Sequence, residues 1–195
     1  SLPTYDIFDE RRYFEPAEQC RPIEWQGHRI GVTICEDIWT EDYLHRPLYK
    51  RDPVEELQAG GAEILMNLSA SPFHLGKGKV RRELLGDLAK KSGLPFVYCN
   101  SVGGNDQLIF DGGSLVMSSE GVPLVEMAPF DEEIAVAELF TESPSRGSVR
   151  PIRKSLHPDE EVFRALVFGV RDYIHKCGFE PACIGVSGGI DSALT

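Results

Sequence analysis

The run Ile30-Gly31-Val32-Thr33-Ile34 is apolar and β-branched, and it stops on Cys35, with Glu36, Asp37, Ile38 and Trp39 behind it. A short run of that kind selects a strand buried in a sheet. The two carboxylates that follow suit the first turn of a helix and end the strand. A cysteine at such a junction stands at a sheet edge beside backbone N–H groups. That setting lowers a thiol pKa and favours the thiolate, the form of cysteine that acts as a nucleophile. Taken alone, a cysteine is more often a small buried hydrophobe, so the residues around it carry the argument.

The rest of the chain alternates strands and helices. Ile23 to Trp25 and Arg29 to Ile34 read as a hairpin turning at Gln26-Gly27. Asp52-Pro53-Val54-Glu55 is a helix start, with Asp as cap and Pro at the first position, and Gly60-Gly61 ends that helix. Ala62 to Leu68 fits a buried strand, although Glu63 and Asn67 interrupt it. Lys79 to Lys91 is an amphipathic helix, and Leu94 to Cys99 another strand. Gly103-Gly104-Asn105 and Gly112-Gly113 read as turns. Ser114 to Met117, Val122 to Glu126 and Ile134 to Leu139 read as strands. Residues 1–20 and Tyr43 to Arg51 form polar, aromatic loops. The pattern is that of an α/β layered domain over residues 1–140. Residues 141–157, rich in Ser, Pro, Arg and Gly, form a linker. A helix then opens at Pro158 with Val162, Leu166, Val170, Tyr173 and Ile174 as its apolar face, and Ala182 to Val186 is a further buried strand.

Composition narrows the function. A net charge of −11 over 195 residues disfavours a nucleic-acid surface. No apolar run reaches the roughly 20 residues of a membrane helix. Five cysteines without paired spacing indicate free thiols in a reducing, cytoplasmic setting. Cys20, Cys99, Cys177 and Cys183 are read as packing residues. The histidines show no ligand spacing with them, so neither zinc nor haem is expected. The start lacks a signal peptide, and both ends fall abruptly, so the chain reads as an internal piece of a longer protein.

Gly185-Val186-Ser187-Gly188-Gly189-Ile190-Asp191-Ser192 follows the last strand directly. Small residues let a backbone come close to a ligand, and a helix starting there aims N–H groups at one point. With two serine hydroxyls added, this is a phosphate cradle. The Gly-Lys-Ser/Thr ending of a Walker loop is absent.

Two resemblances follow. Gly31 to Trp39 resembles the nucleophile motif of the nitrilase, or carbon–nitrogen hydrolase, superfamily, and most closely that of the glutaminase domain of glutamine-dependent NAD synthetases. Ser187 to Ser192 resembles the pyrophosphate loop of ATP pyrophosphatases, which adenylate a substrate. The helix Glu161 to Phe179 resembles the NAD synthetase member of that group. The resemblance implies a partial nitrilase-like α-β-β-α sandwich, followed over 158–195 by the start of a Rossmann-like adenine-nucleotide-binding α/β domain. It implies Cys35 as glutaminase nucleophile, with the Glu36 N–H stabilising the oxyanion. Tyr5, Ser71 and Lys77 would hold glutamine, and Gly185 to Ser192 would hold ATP phosphates, with Asp191 near Mg²⁺. Glu10 would support the glutaminase site from behind.

The small molecules implied are glutamine, ATP and deamido-NAD, handled by a homo-oligomer without nucleic acid or membrane. The family's catalytic Glu and Lys would lie upstream of Ser1, so this chain alone would lack glutaminase activity. The stretch from Cys35 to Ser71 is longer than in many relatives, through Tyr43 to Arg51. Another pyrophosphatase-loop amidotransferase, such as a GMP synthetase, and a non-catalytic nitrilase-like module are the alternatives.

Overall fold

The computed structural model describes residues 9–39, 43, 51–139 and 156–195. Tyr5, most of the 43–51 loop and most of the 141–157 linker lie outside them. Strands β1 (Ile23–Trp25), β2 (His28–Ile34), β3 (Ile64–Ser69), β4 (Phe96–Asn100), β7 (Leu115–Met117) and β8 (Pro123–Glu126) form one six-stranded sheet in that spatial order. β2, β3 and β4 run parallel, and the outer strands pair antiparallel. A separate hairpin pairs β5 (Val102–Asn105) with β6 (Leu108–Asp111). Helices α1 (Pro53–Ala59) and α2 (Lys77–Ser92) fill the parallel crossovers, as parallel strands require.

Local chemistry sets the boundaries. Gln26 and Gly27 both take positive φ, the geometry of a tight β1–β2 hairpin. Asp52 Oδ1 accepts from the N–H groups of Val54 (2.9 Å) and Glu55 (3.2 Å), and Pro53 opens α1. Gly93, at φ 66°, closes α2.

One face of the sheet is sealed. Leu65, Phe96, Tyr98, Leu115 and Met117 pack with Ile38, Val54, Leu57, Leu84, Leu85 and Leu88 in a single buried cluster. The other face carries Val32, Ile34, Leu68 and Cys99, all exposed. Alternation of side chains along each strand produces this division.

Several expectations need correction. Gly103-Gly104-Asn105 is strand β5, and the chain turns after it, at Asp106 (φ 50°). A Cβ on Gly104 would meet Asp172 Oδ2 at 3.1 Å, so its glycine answers to a close approach of helix α3 (Pro158–Lys176). Ile134 to Leu139 does not form a strand among the described residues. Ile134 is fully exposed, and residues 131–135 instead flank a cleft of about 330 Å³ beside Val97 and Cys99. Ala182 to Val186 is likewise exposed and without a sheet partner among the described residues, and a strand needs a neighbour to satisfy its backbone.

Helix α3 buries Ala165 and Phe168 against Phe73, Val102, Ile109 and Phe130, whereas Leu166, Val170 and Tyr173 face outward. Its docking is fixed by the β5–β6 hairpin: Asp172 accepts from the Gly104 N–H at 2.7 Å, and Lys176 donates to the Gly104 carbonyl at 2.7 Å. Cys99, Cys177 and Cys183 are exposed and therefore do not pack in a core; Cys20 is half-buried.

Arg81 is the charged group at the centre of this arrangement. Only 2% exposed, it pairs with Asp111 of β6 at 2.8 Å and donates to the Ser71 carbonyl at 2.9 Å. Its Nε and Asp111 Oδ1 are buried without a partner among the described residues. Removing one member of such a pair strands the other charge. Arg81→Met should therefore cost about 3–5 kcal/mol in urea denaturation, and Arg81→Met with Asp111→Leu should recover much of that loss. Additive losses in the double variant would refute this account of the pair.

Candidate active site

The end of β2 delivers Cys35 to a bend. Its φ is +44°, in the left-handed region that L-residues avoid. The chain then coils into a one-turn 3-10 helix, Cys35–Ile38. Asp37 closes that turn by accepting from the Ile34 N–H at 2.9 Å. Glu36 follows the cysteine with its side chain buried, and Trp39 leaves the turn packed on the core. The sulfur is half-buried, at the C-terminal edge of the parallel strands.

The adjacent edge belongs to β3 and the loop after it. Ser69 and the Ala70 N–H lie beside the Cys35 thiol. Ser71 is buried, its N–H donating to Asn100 Oδ1 at 2.9 Å, and Arg81 Nη2 reaches its hydroxyl at 3.3 Å. Lys77, the first residue of α2, folds back so that Nζ donates to the Pro72 carbonyl at 2.9 Å. Its ammonium also stands over the Trp39 ring, 5.7 Å from the centroid. The structure thus brings Cys35, Glu36, Ser71 and Lys77 to one sheet edge. Tyr5 lies outside the described residues. Glu10 sits in a short 3-10 turn, Glu10–Arg12, half-buried.

Electrostatics here run against one expectation. Burial pushes the Cys35 thiol up, and the neighbouring Glu36 carboxylate adds to this. The Ala70 N–H, the Ser69 hydroxyl and Lys77 pull the other way and do not prevail. Its environment thus favours the thiol over the thiolate. Lys77 is drawn down to about 8, by burial first and by the Arg81 charge second, against the pull of Asp111, Cys35 and Glu36.

Three polar side chains at this edge escaped the sequence reading. Asn67 is fully buried and donates to Thr33 Oγ1 at 3.0 Å and to the Cys35 carbonyl at 3.3 Å. Arg81 holds the Ser71 loop. Tyr98, buried beneath, places its hydroxyl beside those of Ser69 and Ser71, without a bond in hydrogen-bonding geometry. The signal for Asn67 was present, as an amide in an otherwise apolar strand.

The glycine loop lies apart, exposed. Gly188 takes φ 89°, and α4 (Ile190–Leu194) follows. Ser187 N–H donates to Ser192 Oγ at 3.2 Å, and the two hydroxyls meet at 3.2 Å. Asp191 stands in the first turn of α4. No group of three metal-ligating side chains occurs among the described residues, so Asp191 does not belong to a ready-made protein metal site there. A hard cation fits it only together with oxygens of its ligand, as Mg²⁺ on a nucleotide would supply.

Residues 2–143 match the carbon-nitrogen hydrolase family. The chain is 42% identical over 194 residues to a glutamine-dependent NAD(+) synthetase of Synechocystis sp., covering 99% of this chain and 35% of that protein. It is 38% identical to the enzyme of that name from Thermotoga maritima, covering 100% of this chain and 38% of the relative. The solved glutamine-dependent NAD+ synthetase of Acinetobacter baumannii, in complex with ADP, superposes with a TM-score of 0.84 at 37% identity, over 99% of this chain and 35% of that one. An amidase from Nesterenkonia sp. AN1, with acrylamide added at its active site cysteine, gives 0.52 at 27% identity, over 66% of this chain and 46% of that one. The chain thus spans little more than a third of the curated relatives it matches. Its nitrilase-like mixed sheet and its sequence agree, and the chain belongs to the carbon-nitrogen hydrolase family.

Proposed function

We propose that residues 1–140 carry the nucleophile of a glutaminase, and that residues 158–195, after a linker at 141–157, open the ATP-dependent half of a glutamine-dependent NAD synthetase with a Rossmann-like nucleotide-binding domain. The single observation that carries the glutaminase reading is the left-handed Cys35, set at one sheet edge with Ser71 and a desolvated Lys77. The names and extent of the relatives support the joining of the two halves.

In this reading a base takes the Cys35 proton. The thiolate attacks the side-chain carbonyl carbon of glutamine. The carbonyl electron pair becomes an oxyanion, met by the Glu36 N–H. On collapse the amide nitrogen takes up the proton held by the base and departs as ammonia, leaving a γ-glutamyl thioester. Water hydrolyses the thioester to glutamate and restores the thiol. Lys77 pairs with the substrate carboxylate while Ser71 and Tyr5 complete the pocket.

At Gly185 to Ser192, backbone N–H groups and both serine hydroxyls would hold ATP phosphates, and Asp191 together with those phosphates would hold Mg²⁺, whose charge would favour the departure of pyrophosphate. The carboxylate of deamido-NAD would attack the α-phosphorus of ATP, releasing pyrophosphate and forming an acyl adenylate, and ammonia would then displace AMP from its carbonyl carbon to give NAD. A cytoplasmic homo-oligomer acting on small molecules fits this chemistry. Among the described residues no helix is long and apolar enough to cross a membrane.

Two outcomes test the assignment in the full-length protein. Cys35→Ala should abolish NAD synthesis from glutamine while synthesis from ammonium chloride persists; loss of both, or of neither, rejects the division of labour. The second concerns pH. With Lys77 at about 8, kcat/KM for glutamine should fall as pH rises through that value, because the ammonium that pairs with the carboxylate is lost. Unfolding does not explain that limb. An unfolded lysine keeps its proton up to 10.5, so between about 8 and 10.5 the unfolded state binds more protons and this group's contribution to stability rises with pH. Lys77→Met should remove the limb and raise KM roughly tenfold to hundredfold. An unchanged alkaline limb in that variant would assign it to another group.

A further inference from the structure

Asn67 occupies the middle of β3 with no exposure at all, opposite Thr33 in the parallel pair. A buried amide costs free energy unless every polar atom is engaged, and an aliphatic residue would pack there at no such cost. Here the engagement is specific. Nδ2 donates to Thr33 Oγ1 at 3.0 Å and to the Cys35 carbonyl at 3.3 Å. Oδ1 accepts from Ser69 Oγ at 2.6 Å. Thr33 commits its own proton to the Met66 carbonyl at 3.0 Å, so its lone pairs face Asn67. One orientation of the amide satisfies all of these contacts: a donor toward two acceptors, an acceptor toward a hydroxyl.

We propose that Asn67 is a positioning residue which sets the oxyanion-stabilising N–H of Glu36 by holding the Cys35 carbonyl. The link is covalent. The carbonyl of Cys35 and the N–H of Glu36 belong to one planar trans peptide unit, and in such a unit the two bonds point in opposite directions. Drawing the carbonyl down toward β3 therefore directs the N–H up, to the side where substrate meets the sulfur. Cys35 is held at φ +44°, a conformation that costs on the order of 1 kcal/mol for an L-residue. With its anchor removed, the peptide relaxes by rotating, and the N–H leaves the oxyanion position. Through Oδ1 the same amide orients the Ser69 hydroxyl beside the thiol. The inference rests on Cys35 being the amide-cleaving nucleophile, and it adds the group that shapes its oxyanion site.

The test uses the full-length protein with Asn67→Ala. If Asn67→Ala does not fold, Asn67→Ser takes its place, too short to reach the Cys35 carbonyl. Glutamine hydrolysis should lose about 100-fold in kcat with KM nearly unchanged, as expected when a transition-state donor is displaced. Ammonia-driven synthesis should be unaffected. The aldehyde analogue of glutamine, which forms a thiohemiacetal whose oxygen occupies the same position, should lose affinity by about the same factor as kcat. Alkylation of Cys35 by iodoacetamide creates no oxyanion and should change far less. Wild-type kcat and aldehyde affinity would overturn the proposal, as would an equal loss in hydrolysis and alkylation, which would mark a role in placing the sulfur. Cys35→Ala run in parallel separates the two levels. Retained hydrolysis there rejects the nucleophile itself, whereas loss there with a normal Asn67 variant rejects only the role of Asn67.

Discussion

The Arg81–Asp111 pair is the constraint on which the geometry of this edge depends. Arg81 comes from the second turn of α2, Asp111 from the end of β6, and the carbonyls that Arg81 also binds come from Ser71 and Pro72. One planar fork with several fixed donors thus ties a helix, a hairpin and a loop together. Apolar burial holds these elements in two separate clusters, α2 through Leu84, Leu85 and Leu88 in one and the hairpin and loop through Val102, Ile109 and Phe73 in the other, and Arg81 is the polar tie between them. The loop in turn presents Ser71, and its Pro72 carbonyl is the acceptor for Lys77. The guanidinium also lowers the Lys77 pKa, so the residue that shapes the loop tunes the charge standing on it.

Burial decides the chemistry of the sulfur. A strand-end cysteine beside N–H groups invites the expectation of a stabilised thiolate, and donors are present, the Ala70 N–H and the Ser69 hydroxyl. Desolvation outweighs them because the half-buried sulfur is largely withdrawn from the water that would solvate its thiolate. A thiol that stays protonated is not an obstacle to amide cleavage when a base is supplied with the substrate in place.

Much of this was legible in the sequence where the signal is local. The Gln26-Gly27 hairpin, the Asp52 cap, the Gly93 stop and the Cys35 turn all depend on residues within a few positions of one another. What escaped depends on distant partners. Gly103-Gly104 reads as a turn until Asp172 and Lys176 are brought against it from 68 and 72 residues away. The apolar stripe Leu166, Val170, Tyr173 satisfies helical periodicity as well as Ala165 and Phe168 do. The choice between the two faces is made by Ile109 and Phe130, which periodicity cannot see. Ala182 to Val186 has strand composition but no strand beside it, and composition does not provide hydrogen bonds. Asn67 was visible as an exception to an apolar run, yet its meaning required Thr33 and Cys35 across the ladder.

The β5–β6 hairpin joins the two regions of chemistry. On one side it receives α3 through Gly104, Ile109 and the tilted Phe130–Phe168 pair, whose centroids lie 5.7 Å apart. On the other it holds the substrate loop, with the Phe73 N–H donating to the Ile109 carbonyl at 2.7 Å and Pro72 bridged to Phe110. Phe73 meets Phe130 edge-on at 5.6 Å, so one aromatic row runs from the loop beside Ser71 to the helix that leads toward the glycine turn. Packed rings of this kind shift together or not at all, because an interior at close-packed density has no slack to absorb a displaced ring. The hairpin therefore fixes where α3 leaves the hydrolase body, and it does so with the same residues that fix the floor of the loop carrying Ser71.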